Sequence, residues 1–169
     1  DGAKKLGSVN TVVNRDGKLY GYNTDADGFC MALTKAGIEI ENSRILIIGA
    51  GGVVRPTLIR LIDNKPKSIT VVNRTKSKAK TLAEDILKST GFEVNTEIDK
   101  LEFDIVINTT SAGMEPQENV MPIENIEEIN DLSFINENTA AVDMIYNPDK
   151  TLFLQEAEKR GAKILNGLG

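Results

Sequence analysis

The sequence predicts an α/β fold built on a doubly wound parallel sheet, and three observations carry that expectation. Four runs, "RILIIG", "SITVVN", "FDIVIN" and "AAVDMIY", are almost continuously apolar, as strands covered on both faces must be. Apolar stripes at helical spacing follow two of them: Ala79, Leu82, Ala83, Ile86 and Leu87, then Leu152, Phe153, Leu154 and Ala157. The segment "ILIIGAGGVVRPTLIRLI", residues 45 to 62, passes from an aliphatic run through Gly49, Gly51 and Gly52 into apolar residues at helical spacing. Strand and helix therefore alternate, and a parallel sheet is the economical way to pack them.

The elements can be justified in order. "GSVNTVVNRDGKLYGYN" holds two β-prone runs around Arg15-Asp16-Gly17, which is hairpin chemistry because glycine takes the positive φ such turns need. A helix follows, with Asn23 or Thr24 as its cap, a stripe of Phe29, Ala32, Leu33 and Ala36, and Gly37 placed to end it. Residues 1–24 are expected to form a hairpin lead-in segment and residues 25–169 the main domain. Residues 115–138 are polar and weakly periodic, rich in Glu and Asn, and are expected to be loop with one short helix.

Composition narrows the chemistry. The 169 residues suit one compact domain with a small flanking element. With 20 basic and 25 acidic residues, and a pI near 4.9, nothing draws the chain to nucleic acid or an anionic membrane. No apolar run approaches a membrane span and no secretory leader begins the chain, so a cytoplasmic protein is expected. The single Cys30 is expected to fill a helix face. The absence of histidine removes the commonest general base and the commonest metal ligand, so no metal site is expected, and proton chemistry falls to Asp, Glu, Lys or Tyr.

The glycines have a specific use in a strand-turn-helix unit. Gly49 lets the chain turn sharply, Gly51 lets the backbone approach a pyrophosphate, and the helix start presents free amides. Pro56 fits if the helix begins near Gly52, because the first helical amides lack intrahelical partners. Val54 stands at the third small position of the fingerprint, where Gly or Ala is usual. About 20 residues further on, an acid would meet a free ribose 2′-hydroxyl, but the chain reads Asn73-Arg74-Thr75, then Lys76 and Lys78. A guanidinium can pair with a phosphate dianion through two parallel hydrogen bonds, so NADP is the expected occupant. Without an anion, a basic helix start is unfavourable, because cations oppose the positive end of the helix dipole.

Taken together, "GSVNTVV", "GYNTDADGF", "GAGGVVR", "NRTKSK", "NTTSAGM", "VDMIYNP" and "NGLG" occur in an order that resembles the shikimate dehydrogenase family and its quinate relatives. The resemblance runs from about residue 6 to 169 and implies a Rossmann-like NADP-binding domain, lacking most of an N-terminal substrate-binding domain. It also implies reversible, NADP-dependent reduction of 3-dehydroshikimate to shikimate, a step toward chorismate and the aromatic amino acids. Carried over by position, Asn10 and Asp25 would hold substrate hydroxyls, Asp25 would be half of a Lys-Asp proton-transfer pair, and Tyr146 would complete the substrate pocket. Gly49, Ala50, Gly51, Gly52 and Val53 would hold the diphosphate. Asn73, Arg74, Thr75 and Lys78 would surround the 2′-phosphate and adenosine, with Met144 and Gly167 beside the nicotinamide.

Bland roles compete with these. Asp25 could simply be a helix N-terminal acid, Asn10 a strand-end cap, and Met144 or Tyr146 a core side chain. The chain also departs from the family: its catalytic lysine belongs roughly 20 residues before Asn10, by the resemblance, and Lys4 and Lys5 are too close to replace it. Ala26 and Leu152 stand where Gly and Pro are usual, and a paired-serine substrate motif is missing. The expectation is a coenzyme-binding piece of a longer enzyme, inactive alone, as monomer or homodimer. Two alternatives are the nucleotide domain of glutamyl-tRNA reductase, which shares "GAGG" followed by "NRT", and a non-catalytic dinucleotide-binding module.

Overall fold

The computed structural model describes residues 6–129 and 131–168; Lys4, Lys5 and Gly169 of the closing "NGLG" lie outside them. The chain opens with a hairpin of β1 (Thr11–Arg15) and β2 (Lys18–Tyr22), paired antiparallel with Arg15 opposite Lys18. The connecting pair Asp16-Gly17 has φ 51° and 80°, the geometry that a two-residue hairpin turn requires. Helix α1 (Asp25–Lys35) follows, with Thr24 at the N-cap position and Asn23 just before it, whose Oδ1 accepts the Ala26 amide at 3.2 Å. It ends at Gly37, with φ 66°, as its sequence predicts.

The main sheet has β3 (Arg44–Ile48), β4 (Ser68–Val72), β5 (Ile105–Asn108), β6 (Ala140–Asp143) and β7 (Lys163–Leu165), all parallel, in the order β4-β3-β5-β6-β7. The four apolar runs are thus strands. The fifth, "KIL", escapes the sequence because three residues carry too little pattern. Beyond β4 the sheet gains a further bridge, with Asn95 bonded to Ile69 and Val71 at 2.9 and 2.8 Å. That order is the dinucleotide-binding arrangement, in which the chain builds outward from β3, then crosses back to β5 on its other side.

Strand alternation divides the core between two faces. Ile45 and Ile47 face α1, α2 (Val54–Asp63) and α3 (Lys76–Thr90); Leu46 and Ile48 face α4 (Leu152–Lys159) and the 121–135 segment. Pro56 lies in the first turn of α2, where its missing amide costs nothing. Ile86 of α3 is buried while its neighbour Leu87 is 48% exposed, so Leu87 leaves the apolar stripe expected for it.

The short helix expected within 115–138 is not formed among the described residues. Isoleucines at 123, 126 and 129, with Leu132 and Ile135, are buried at a spacing of three, through successive turns such as Ile126 N to Ile123 O at 3.1 Å. Asn125 at φ 64° breaks helical geometry at the outset. A three-residue period suits tight turns rather than an α-helix, which is why it reads as weak periodicity.

Candidate functional site

The switch point lies between the ends of β3 and β5. Gly49 turns there with φ 120°, and its amide donates to the Val72 carbonyl at 2.8 Å. A Cβ at this position would strike Thr109 Oγ1, which donates to the Ile48 carbonyl at 2.8 Å, so only glycine fits. A Cβ at Gly51 or Gly52 would meet nothing within 4 Å: the space above the turn is open. Helix α2 starts there with no capping side chain and no acid in its first turn. Among the described residues the amides of Gly51, Gly52 and Val53 have no hydrogen-bond partner. A helix start in that state suits an anion. The nearby Arg55 is engaged elsewhere, with Asp85 at 2.5 Å and the Leu6 carbonyl at 2.5 Å.

At the end of β4, Asn73 donates from Nδ2 to the Thr75 carbonyl at 3.0 Å and shapes the turn into α3. Arg74 and Lys78 are exposed and have no ion-pair partner among the described residues. Lys76 differs. Its Nζ lies 2.8 Å from Glu127 and 2.9 Å from Glu128, whose carboxylates push its pKa well above the ordinary lysine value. The repulsion expected between Lys76 and the helix dipole is therefore answered by the protein's own acids. Ala50 and Lys78 line a shallow groove of about 410 Å³ together with Ser77 and Asp85.

Next to the turn, a crevice of about 710 Å³ brings together Asn10, Asp25, Gly52, Val53, Met144, Tyr146 and Gly167. Asn10 does serve locally: its Oδ1 accepts the Thr24 amide at 3.0 Å and the Thr11 hydroxyl at 3.1 Å, which leaves Nδ2 for a ligand. Asp25, the first residue of α1, is exposed, and its carboxylate makes no hydrogen bond or ion pair among the described residues. Tyr146 is 64% exposed, whereas Met144 both packs against the core and lines the crevice. Gly167 approaches so closely that a Cβ would strike the Met144 carbonyl oxygen.

Three features went unnoticed in the sequence. Asn166 lines the crevice and holds Asp149, with Nδ2 at 2.6 Å from its carboxylate. Glu127 and Glu128 could not be paired with Lys76 without knowing how the 121–135 segment folds. Asp143 is wholly buried, and burial raises its pKa against the pull of its hydrogen bonds. Its signal was present, since a lone charge in the apolar run "AAVDMIY" must find partners. Cys30 behaves as expected, packed against the core with its thiol pushed up to about 11, first by burial and then by Asp27. Among the described residues there is no group of acids and thiols able to hold a metal, and no helix long and apolar enough to cross a membrane.

The sequence profile of the Shikimate / quinate 5-dehydrogenase family matches residues 31–148. The chain belongs to that family. Among the shikimate and quinate dehydrogenases it is similar to the shikimate dehydrogenase (NADP(+)) of Geobacillus sp. (strain WCH70), 43% identical over 99% of this chain and 60% of the relative. A shikimate dehydrogenase crystallised in complex with NADP+ superposes with a TM-score of 0.86 at 36% identity, over 100% of this chain and 58% of the other. The Thermus thermophilus enzyme, crystallised with NADP(H) and shikimate, gives 0.80 at 34% identity, over 99% and 59%. The chain thus spans about 60% of the length of the relatives it matches. Membership in the shikimate and quinate dehydrogenases sets aside the glutamyl-tRNA reductase alternative.

Proposed function

We propose that this chain is the coenzyme-binding part of an NADP-dependent shikimate dehydrogenase, carrying one side of the substrate pocket. The observation that carries the proposal is the open glycine turn at the switch point, with an unpaired guanidinium at the end of the next strand. The residues present fit a dinucleotide: free amides and open space above Gly51 and Gly52 suit a diphosphate, and Arg74 with Lys78 suits a 2′-phosphate. Residues 1–24 then belong with the substrate-binding part and residues 25–169 with the coenzyme-binding part.

When bound, NADPH supplies the hydride that reduces the ketone of 3-dehydroshikimate. The amides of Gly51 to Val53 hold the diphosphate, Ala50 supports the same turn, and Asn73 and Thr75 shape the adenosine end. Met144 and Gly167 form the wall beside the nicotinamide. Asn10, through its free Nδ2, holds a substrate hydroxyl, and Tyr146 completes the substrate pocket. Asp25 accepts a hydrogen bond from the substrate and orients a lysine as proton donor. A carboxylate alone has the wrong charge to stabilise the developing alkoxide, so proton delivery needs that lysine. The use of NADPH and the acidic composition support a cytoplasmic biosynthetic enzyme on the route to aromatic amino acids.

The test is to titrate this chain with NADPH and to assay NADP-dependent shikimate oxidation, alone and with the family's lysine-bearing segment joined upstream. Binding without turnover by the chain alone, and turnover by the extended chain, is the expected result. Robust turnover by this chain alone contradicts the division of roles. Binding without turnover in both makes the chain a non-catalytic module.

A further inference from the structure

Asp143 ends β6, directly before Met144, and is completely buried, yet the proposed chemistry gives it nothing to do. Its Oδ1 accepts the Ile145 amide at 2.9 Å, and its Oδ2 accepts the Thr151 hydroxyl at 2.7 Å. Asn108 Nδ2 stands 3.2 Å from both oxygens. On its other side, Asn108 Oδ1 accepts the Thr110 amide at 2.9 Å and the Thr110 hydroxyl at 2.7 Å. One carboxylate therefore fastens the loop after β5, the loop after β6 and the cap of α4 to a single point.

Burying a carboxylate is expensive, and a well-packed apolar group often serves stability as well or better. What the charge adds here is direction. Ile145 sits between the two crevice side chains, Met144 and Tyr146, and its carbonyl accepts the Gly167 amide at 2.9 Å. Asp143 thus grips the Met144–Ile145 peptide in the middle of the crevice wall, and the following peptide is bonded to Gly167. The network touches neither Arg74, just beyond β4, nor Lys78, in the first turn of α3, both on the far side of the switch point.

We propose that Asp143 is a positioning residue, which sets the Met144–Tyr146 wall so that the nicotinamide end of the coenzyme is held in place while its adenosine end is gripped independently. This rests on the NADP reading given above. Two probes separate the ends: NADPH reports both, whereas 2′,5′-ADP reports only the adenosine end.

The experiment measures the affinity of both probes for this chain and for Asp143→Asn, which keeps the shape but aims an NH₂ group at donors. The expected result is NADPH binding weakened about tenfold, as for a buried hydrogen bond broken on one side, with 2′,5′-ADP binding unchanged within about twofold. Thr151→Val, which withdraws one donor from the same carboxylate, should show the same split at smaller amplitude, and decides the matter if Asp143→Asn does not fold. Parallel weakening of both probes, unchanged binding of both, or collapse of both variants overturns the proposal. Failure of the unmutated chain to bind either probe overturns the coenzyme reading itself, which is a different result.

Discussion

The Gly49 amide donates to the Val72 carbonyl at 2.8 Å, so the turn after β3 is fastened to the end of β4. Arg74 stands two residues beyond that carbonyl. Backbone geometry alone therefore brings an anion-ready helix start and a free guanidinium to the same end of the sheet, as a dinucleotide with an extra phosphate requires.

The two glycines of the turn should separate fold from binding. Gly49→Ala forces a side chain onto Thr109 at a φ that alanine resists, and should destabilise the chain by about 2 to 4 kcal/mol in denaturant unfolding. Gly51→Ala meets no protein atom and should leave stability within about 0.5 kcal/mol, yet weaken NADPH binding because the new methyl occupies the ligand's approach. Equal loss of stability in both variants would contradict the open turn.

Glu127 and Glu128 hold Lys76 beside the proposed phosphate site. Replacing both with Gln should change unfolding only modestly, since Lys76 and Glu127 are exposed and only Glu128 is partly buried. NADPH binding should tighten a few-fold, by roughly the release of one cation, and this gain should fade at high salt. A gain that persists at high salt, or equal tightening of NADH, would show that the freed lysine does not act on the 2′-phosphate.

Acid stability should depend on Asp104. Its carboxylate is held below its ordinary pKa of 3.8, first by the hydrogen bond from the Arg44 guanidinium at 2.9 Å and also by the Arg44 amide at 2.7 Å. A depressed folded pKa gives stability that is present above 3.8 and lost as pH falls through the lower folded value. Asp104→Asn should lower the melting temperature at neutral pH and flatten its decline in acid below that point. Parallel melting curves for the two proteins across that range would refute this.

Cys30 should be nearly inert. With its pKa pushed up to about 11 from 9.0, the thiolate fraction at neutral pH is about a hundredfold below that of a free thiol. Thiol reagents should modify it correspondingly slowly in the folded chain and rapidly in denaturant, and Cys30→Ser should leave NADPH binding unchanged.

Much of this architecture was legible in the sequence, because it is written in short-range patterns. Continuous apolar runs located four strands, Asp16-Gly17 located the hairpin, and Gly37 located the end of α1. The glycine turn was recognisable since its demands are local. What escaped depends on partners distant in sequence. The 121–135 turns bury their isoleucines against β3, β5 and β6 at a period of three, which is neither that of an α-helix nor that of a strand. Lys76 looked like part of a basic cluster until the fold delivered two glutamates 51 and 52 residues away. Asn10 and Met144 proved to have both a structural task and a place in the crevice, a combination that single-residue reasoning tends to pose as a choice.

The measurement that tests the central claim most directly is a comparison of NADPH and NADH affinity for this chain, repeated with Arg74→Ala. The unmutated chain should prefer NADPH, and the substitution should erase that preference by about 1.5 to 3 kcal/mol, the range of a charge-assisted contact. Equal affinity for the two coenzymes at the outset, or a preference that survives loss of the guanidinium, would contradict the account.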